Sequence, residues 1–183
     1  MTRREREDNY APKRRLREAA ESGNVAAKYH YAVQCDNPDE RRRWLRRAAE
    51  EGYIPAMCDY GLECSDRTER RRLLQEAAHE GYVPAMYPYA QVCDDPDIRR
   101  RWLRQAAENG YVAAMHDFGR ECDDPIDSER WLREAAEEGH VEAMYELGRE
   151  SRNPDERQRW LREAAHRGLG PAREALAHEP SGR

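Results

Sequence analysis

The sequence predicts an all-α fold, an α–α superhelix of about twelve antiparallel helices built from repeated units. Three observations lead there. Gly23, Gly52, Gly81, Gly110, Gly139 and Gly168 recur at one unchanging interval. The segment before each glycine is nearly constant: Trp44-Leu45-Arg46-Arg47-Ala48-Ala49-Glu50-Glu51 precedes Gly52, and Trp131-Leu132-Arg133-Glu134-Ala135-Ala136-Glu137-Glu138 precedes Gly139. An alanine stands in the same place after each of the first five glycines, as Ala27, Ala56, Ala85, Ala114 and Ala143. One such unit cannot bury its own apolar face, so stacked units must share an elongated core. The expected organisation is a single repeat domain over 1–183. It has a capping helix in 1–23, five helix-pair repeats in 24–168, and a last helix and tail in 169–183.

Taken in order, Met1 to Asn9 is polar, with Arg3 to Glu7 able to form a helix, and Lys13 to Ser22 is the first clear helix. Its Leu16, Ala19 and Ala20 repeat the pattern of Leu45, Ala48 and Ala49. Arg15 takes the place of Trp44, which suits an end unit whose outer face meets water. Each repeat then carries a short helix A and a longer helix B. In the first, helix A covers Val25 to Gln34, and helix B runs from Pro38 to near Glu51. Asn37 is the N-cap, Pro38 sits at the first helical position, and Glu40 completes a capping box. Asp95-Pro96 and Asn153-Pro154 repeat the Asn37-Pro38 cap, the second with Glu156 in the box, Asp124-Pro125 gives it without a capping-box glutamate, and Asp66 with Glu69 gives it without proline. Each periodic glycine ends a helix B in the left-handed conformation.

Helix B is expected to bury Trp44-Leu45, Leu73-Leu74, Trp102-Leu103, Trp131-Leu132 and Trp160-Leu161, and helix A to bury Met57 and Tyr60, Met86 and Tyr89, Met115 and Phe118, and Met144 and Leu147. Ala32, Gly61, Ala90, Gly119 and Gly148 follow at positions where a tiny side chain lets helices approach closely. Pro88 falls inside a helix A, one turn after Pro84, and predicts a bent or shortened helix. The array closes with a short helix between Leu169 and His178, and stops at Pro180-Ser181-Gly182-Arg183.

The alanine, aromatic-or-leucine and glycine of helix A, followed by the tryptophan-leucine, alanine pair and glycine of helix B, resemble Sel1-like repeats, relatives of tetratricopeptide repeats. The matching residues are Ala56, Tyr60, Gly61, Leu73, Leu74, Ala77, Ala78 and Gly81, and they return in phase as Ala114, Phe118, Gly119, Trp131, Leu132, Ala135, Ala136 and Gly139, and as Ala143, Leu147, Gly148, Trp160, Leu161, Ala164, Ala165 and Gly168. The units here are shorter than is usual in that family. The resemblance implies a tetratricopeptide-like α-solenoid acting as an adaptor that assembles protein complexes, in bacterial signalling or complex assembly.

Composition narrows the partners. Charged residues make up 38% of the chain and its formal net charge is −5, so the whole-molecule field disfavours nucleic acid. The polar start of the sequence has no apolar stretch of a signal peptide or membrane anchor, and the five cysteines fit reduced thiols in the cytoplasm. Cys35, Cys64, Cys93 and Cys122 recur with the period of the glycines, and Ser151 takes the fifth place. This reads as one isolated thiol per layer rather than converging zinc ligands. No phosphate loop, nucleophile elbow or histidine pair of metalloprotease spacing occurs, so neither a metal nor a cofactor is expected.

Candidate contact residues lie off the core of helix A. Tyr29, Cys58, Tyr87, His116 and Tyr145 share one repeat position, and His30, Asp59, Pro88, Asp117 and Glu146 the next. The expected partner-binding set is Tyr29, His30, Asp59, Tyr87, His116, Asp117, Tyr145 and Glu146. Aromatic anchors beside acids suit a protein or peptide that carries a basic residue and an apolar anchor. The alternative surface is basic: Arg41, Arg42 and Arg43, then Arg70, Arg71 and Arg72, then Arg99, Arg100 and Arg101, which would favour an acidic partner. The leading expectation is thus a non-catalytic, monomeric adaptor. Its rivals are a hydrolase with a site assembled across repeats, in which His116 and Asp117 would meet in a pocket, and a self-associating structural spacer.

Overall fold

The computed structural model describes residues 3–178, with side chains from residue 12 onward. Twelve α-helices among the described residues make an all-α solenoid of repeated helix–turn–helix units. The chain divides into two compact units, 1–94 and 95–183. The first holds α1 (Arg3–Glu21), α2 (Val25–Val33), α3 (Pro38–Glu50), α4 (Ile54–Glu63), α5 (Arg67–His79) and α6 (Val83–Val92). The second holds α7 (Pro96–Glu108), α8 (Val112–Glu121), α9 (Pro125–Glu137), α10 (Val141–Glu150), α11 (Pro154–His166) and α12 (Gly170–Ala177). Within each unit consecutive helices pack on one another, and α4 also touches α6.

The helix ends follow from local chemistry. Asn37, Asp66, Asp95, Asp124 and Asn153 all stand as N-caps with extended backbone, and each side chain accepts from two backbone N–H groups of the first turn. At the other end the six periodic glycines have φ between 79° and 103°, a region that only glycine enters without strain. The N–H of Gly52 donates to the Ala49 carbonyl and that of Tyr53 to the Ala48 carbonyl. This is the Schellman arrangement, and it satisfies carbonyls that would otherwise lack donors. It recurs at all six glycines, where Asn24, Tyr82, Tyr111, His140 and Leu169 bond back to Ala19, Ala77, Ala106, Ala135 and Ala164. The residue after each glycine therefore closes one helix while standing at the N-cap of the next.

The core is the predicted one with local exceptions. Leu45, Leu74 and Leu103 are fully buried, and the alanine pairs of helix B are buried with them, except that Ala165 in the last pair is half-buried. Trp44, Trp131 and Trp160 are buried, whereas Trp102 and Tyr60 are only half-buried. The small residues explain the close approach of neighbouring helices. A Cβ on Gly61 would meet Leu74 Cγ at 3.2 Å, on Gly119 would meet Leu132 Cγ at 3.0 Å, and on Gly148 would meet Leu161 Cγ at 2.8 Å.

One expectation is extended and one corrected. The first helix includes Arg3 to Glu7, as their sequence allowed, and continues through Pro12 to Glu21. Arg3 to Glu7 are good helix formers and extend it. Pro88 does not shorten its helix: α6 keeps 10 residues, as α4, α8 and α10 do. Ala85 and Met86 before it, and Tyr89 and Ala90 after it, are all buried, and their packing outweighs the hydrogen bond that proline removes. The expected tail at Pro180 to Arg183 lies outside the described residues.

Candidate functional site

In unit 1 the off-core face of helix A is aromatic. Tyr29 on α2 stands 5.4 Å from the His30 ring and 5.2 Å from Tyr53, centroid to centroid. Tyr29 is half-buried and His30 exposed. Burial, and then the Asp59 carboxylate on α4, push the Tyr29 phenol up to about 12. Burial also raises Tyr82, with Cys58 and Asp59 as further causes. Cys58 itself is buried, which pushes its thiol up to about 12 and makes it a packing residue. Tyr87 and Pro88 on α6 are half-buried. The structure thus gathers Tyr29, Tyr53, Asp59 and Tyr82 into one neighbourhood. Tyr53 and Tyr82 were missed from sequence. The signal was present, since Tyr53, Tyr82 and Tyr111 follow successive glycines, and the Schellman turn holds them in place.

In unit 2 the face is ionic. His116 on α8 is buried, and its Nδ1 lies 3.2 Å from Asp117 Oδ1. Its Nε2 lies 3.3 Å from Glu146 Oε2 on α10, close enough for charge attraction but outside hydrogen-bonding geometry. The His140 ring stacks on His116 at 4.4 Å. Burial pushes the His116 imidazole down, but Asp117 and Glu146 outweigh it and leave its pKa raised. Burial and the neighbouring His116 push His140 the other way. Glu146 is also reached by Arg120 Nε at 3.5 Å, and Tyr145 lies under the Arg149 guanidinium at 5.7 Å. His116 therefore orients Asp117 and Glu146, both of which remain partly exposed.

The arginine runs are largely engaged by the fold. Arg41 pairs with Glu63 at 2.9 Å, and Arg42 donates to the Glu63 carbonyl at 2.7 Å. Arg43 reaches the Asp39 carbonyl at 3.4 Å. Arg70 donates to the Cys64 carbonyl, Arg71 pairs with Asp94 at 2.7 Å, and Arg72 is held between Glu69 and Glu76. Arg99 pairs with Glu121 and Arg100 with Asp123, while Arg101 stays exposed. Other arginines cover the tryptophans, as Arg47 does Trp44 and Arg159 does Trp160. The five cysteines are free thiols, and among the described residues no group of three or more His, Cys, Asp or Glu is placed to hold a metal ion. No helix among the described residues is long and apolar enough to cross a membrane.

No family model and no curated protein matches the sequence. Solved structures share its fold. A protective antigen present in uropathogenic Escherichia coli strains, displaying an SLR fold, aligns with a TM-score of 0.79 at 19% identity, over 87% of this chain and 42% of that one. A Sel1 repeat protein from Oxalobacter formigenes aligns at 0.74 and 20% identity, over 88% and 57%. An immunity protein from Pseudomonas aeruginosa aligns at 0.51 and 21% identity, over 82% and 67%. The chain spans about half the length of the first two. The fold is the Sel1-like repeat fold, an α-solenoid of tetratricopeptide-like helical repeats.

Proposed function

We propose that this chain is a non-catalytic cytoplasmic adaptor that binds a protein or peptide through the off-core faces of its A helices. The observation that carries this reading is the partly exposed aromatic and acidic lining of those faces. Tyr29, Tyr53 and Tyr82 surround Asp59 in unit 1, and in unit 2 Asp117 and Glu146 flank His116 while Tyr145 precedes Glu146 on α10. Rigid tyrosines supply contact area at little entropic cost, and the acids favour a partner segment carrying Arg or Lys. The competing basic surface is weakened as a docking site because most of its arginines already serve carboxylates and carbonyls of the fold. A hydrolytic role for His116 meets a geometric obstacle: the residue is 6% exposed, and the nitrogen left to serve a substrate faces Glu146. The fold is shared with a protective antigen and an immunity protein, which favours a recognition role for this chain as well.

The test is affinity capture from source cells, followed by kinetics with the captured partner. Tyr87→Ala or Tyr145→Ala should speed dissociation by about tenfold or more, because buried aromatic anchors hold complexes together. The double change Asp117→Asn with Glu146→Gln should slow association and flatten its dependence on salt. A specific partner whose rates are untouched by all of these changes would refute the assignment.

A further inference from the structure

The repeat contains an ion pair that one layer leaves half-made. Arg41 at the start of α3 meets Glu63 at the end of α4, Nε to Oε1 2.9 Å, and Arg99 at the start of α7 meets Glu121 at the end of α8 at 3.0 Å. In both cases the acid follows the arginine at the same interval in the sequence. The two layers between and after them depart from it in different ways. Arg70 has Val92 at that interval, and its guanidinium turns to the Cys64 carbonyl instead, at 2.6 Å. In the α9–α10 layer the acid is present as Glu150, but the arginine is replaced by Ser128. Ser128 is too short to reach it, and its Oγ donates to the Gly119 carbonyl at 2.7 Å. Glu150 makes no ion pair among the described residues.

The missing side chain leaves space. A cleft of about 600 Å³ opens among α9, the end of α10 and the start of α11, with Ser128, Glu129, Arg133, Glu150, Arg152 and Glu156 in its lining. Its other charges are mostly spoken for. Arg133 donates to Glu156 at 2.5 Å and to Glu129 at 2.7 Å, and Ser151 Oγ also donates to Glu156, so these charges are engaged. Among the described residues, Glu150 and Arg152 remain unpaired.

We infer that this cleft is a binding site for a single arginine side chain of a protein or peptide partner, whose guanidinium takes the place left by Ser128 and pairs with Glu150. Two layers of the same chain already show that a guanidinium fits this acid in this setting. The planar fork of arginine matches a carboxylate in a way the compact lysine ammonium does not. Arg152 at the rim repels a second cation, so the cleft selects an isolated arginine over a basic run. The site uses none of the contact residues named on the helix A faces, although Glu150 lies one turn after Glu146 on α10, and its failure would leave the adaptor reading standing.

The experiment is an NMR titration of the full, isotope-labelled chain with the tripeptide acetyl-Gly-Arg-Gly-amide, alongside matched peptides carrying citrulline or lysine. The arginine peptide should shift the amides of residues 128 and 150–153 with a Kd on the order of 1 mM. Citrulline, which keeps the shape and loses the charge, should bind about tenfold more weakly, and lysine measurably more weakly than arginine. Glu150→Gln should weaken the arginine peptide by about tenfold. Ser128→Arg should abolish binding by filling the place from within the chain. Glu121→Gln, which removes an acid already paired with Arg99, should leave affinity unchanged. Equal binding of citrulline or lysine overturns the proposal, as does unchanged binding in Glu150→Gln or in a folded Ser128→Arg. Absence of a saturable shift up to about 10 mM does so as well. If Ser128→Arg fails to fold, Glu150→Gln decides alone.

Discussion

His116 and His140 stack face to face, yet their protons are held differently. Asp117 and Glu146 flank His116, while His140 has burial and the His116 charge against it. The His116 pKa is raised, so its contribution to stability is full below the ordinary histidine value and fades as pH rises through the raised one. His140 is lowered, so its contribution is full above the ordinary value and is lost as pH falls through the depressed one. Between the two midpoints the pair carries one positive charge, on His116. Proton NMR of the imidazole Cε1–H signals should show two titrations, His116 above free imidazole and His140 below it. In Asp117→Asn the His116 midpoint should fall, since burial then acts with one acid fewer against it. A His116 that titrates like a free imidazole would show that the acids do not hold it.

A helix A in this chain is about three turns long, so its place is set by how closely it can lie on helix B. The contact differs from one repeat to another. Leu161 Cγ is 2.8 Å and its backbone nitrogen 3.2 Å from where a Cβ on Gly148 would stand, whereas the nearest atoms to one on Gly61 are side-chain carbons at 3.2 and 3.3 Å. Gly148→Ala should therefore push α10 from α11 and destabilise the protein by about 1–3 kcal/mol. Gly61→Ala needs only a small shift by Leu73 and Leu74. There the helix-propensity gain of about 1 kcal/mol over glycine offsets the crowding. Urea melts of the two variants check this, and equal losses would mean that approach distance does not govern the element. The position class was legible from sequence, because Ala32, Gly61, Ala90, Gly119 and Gly148 recur in phase. The ranking within it was not, because it depends on how each leucine sits across the interface.

Within each unit, neighbouring layers are linked by cross-layer charge pairs that no single helix reveals. Lys13 pairs with Asp36, Arg71 with Asp94, Arg100 with Asp123 and Arg133 with Glu156, all at one sequence separation. Most are exposed and screened by solvent, so each contributes little, and the apolar layers carry the stability. Contacts run between sequence neighbours, so damage should stay local. Leu45→Ala, which empties a fully buried site, should cost about 2–5 kcal/mol and speed hydrogen exchange in α2, α3 and α4. Exchange in α10 to α12 should stay at its parent rate, and uniform acceleration along the chain would contradict nearest-neighbour stability.

The sequence by itself determined the helices, their ends and the repeat, because each is a local matter. A glycine with positive φ stops a helix wherever it stands, an Asn or Asp before proline starts one, and an apolar pattern of fixed period dictates which faces meet. It also carried the tyrosine and acid positions of helix A. Only the tertiary structure decided which of those positions open to solvent. Residues 58 and 116 share a repeat position with Tyr29, Tyr87 and Tyr145 but turn out buried, as Cys58 and His116. Exposure depends on what the next element lays over a side chain, and here that is the residue after each glycine. The partnership of Arg41 with Glu63, and the lack of one for Glu150, were equally closed to sequence reading. Charges on two different helices meet only once those helices are packed in register, and a missing partner becomes visible only beside the layers that have one.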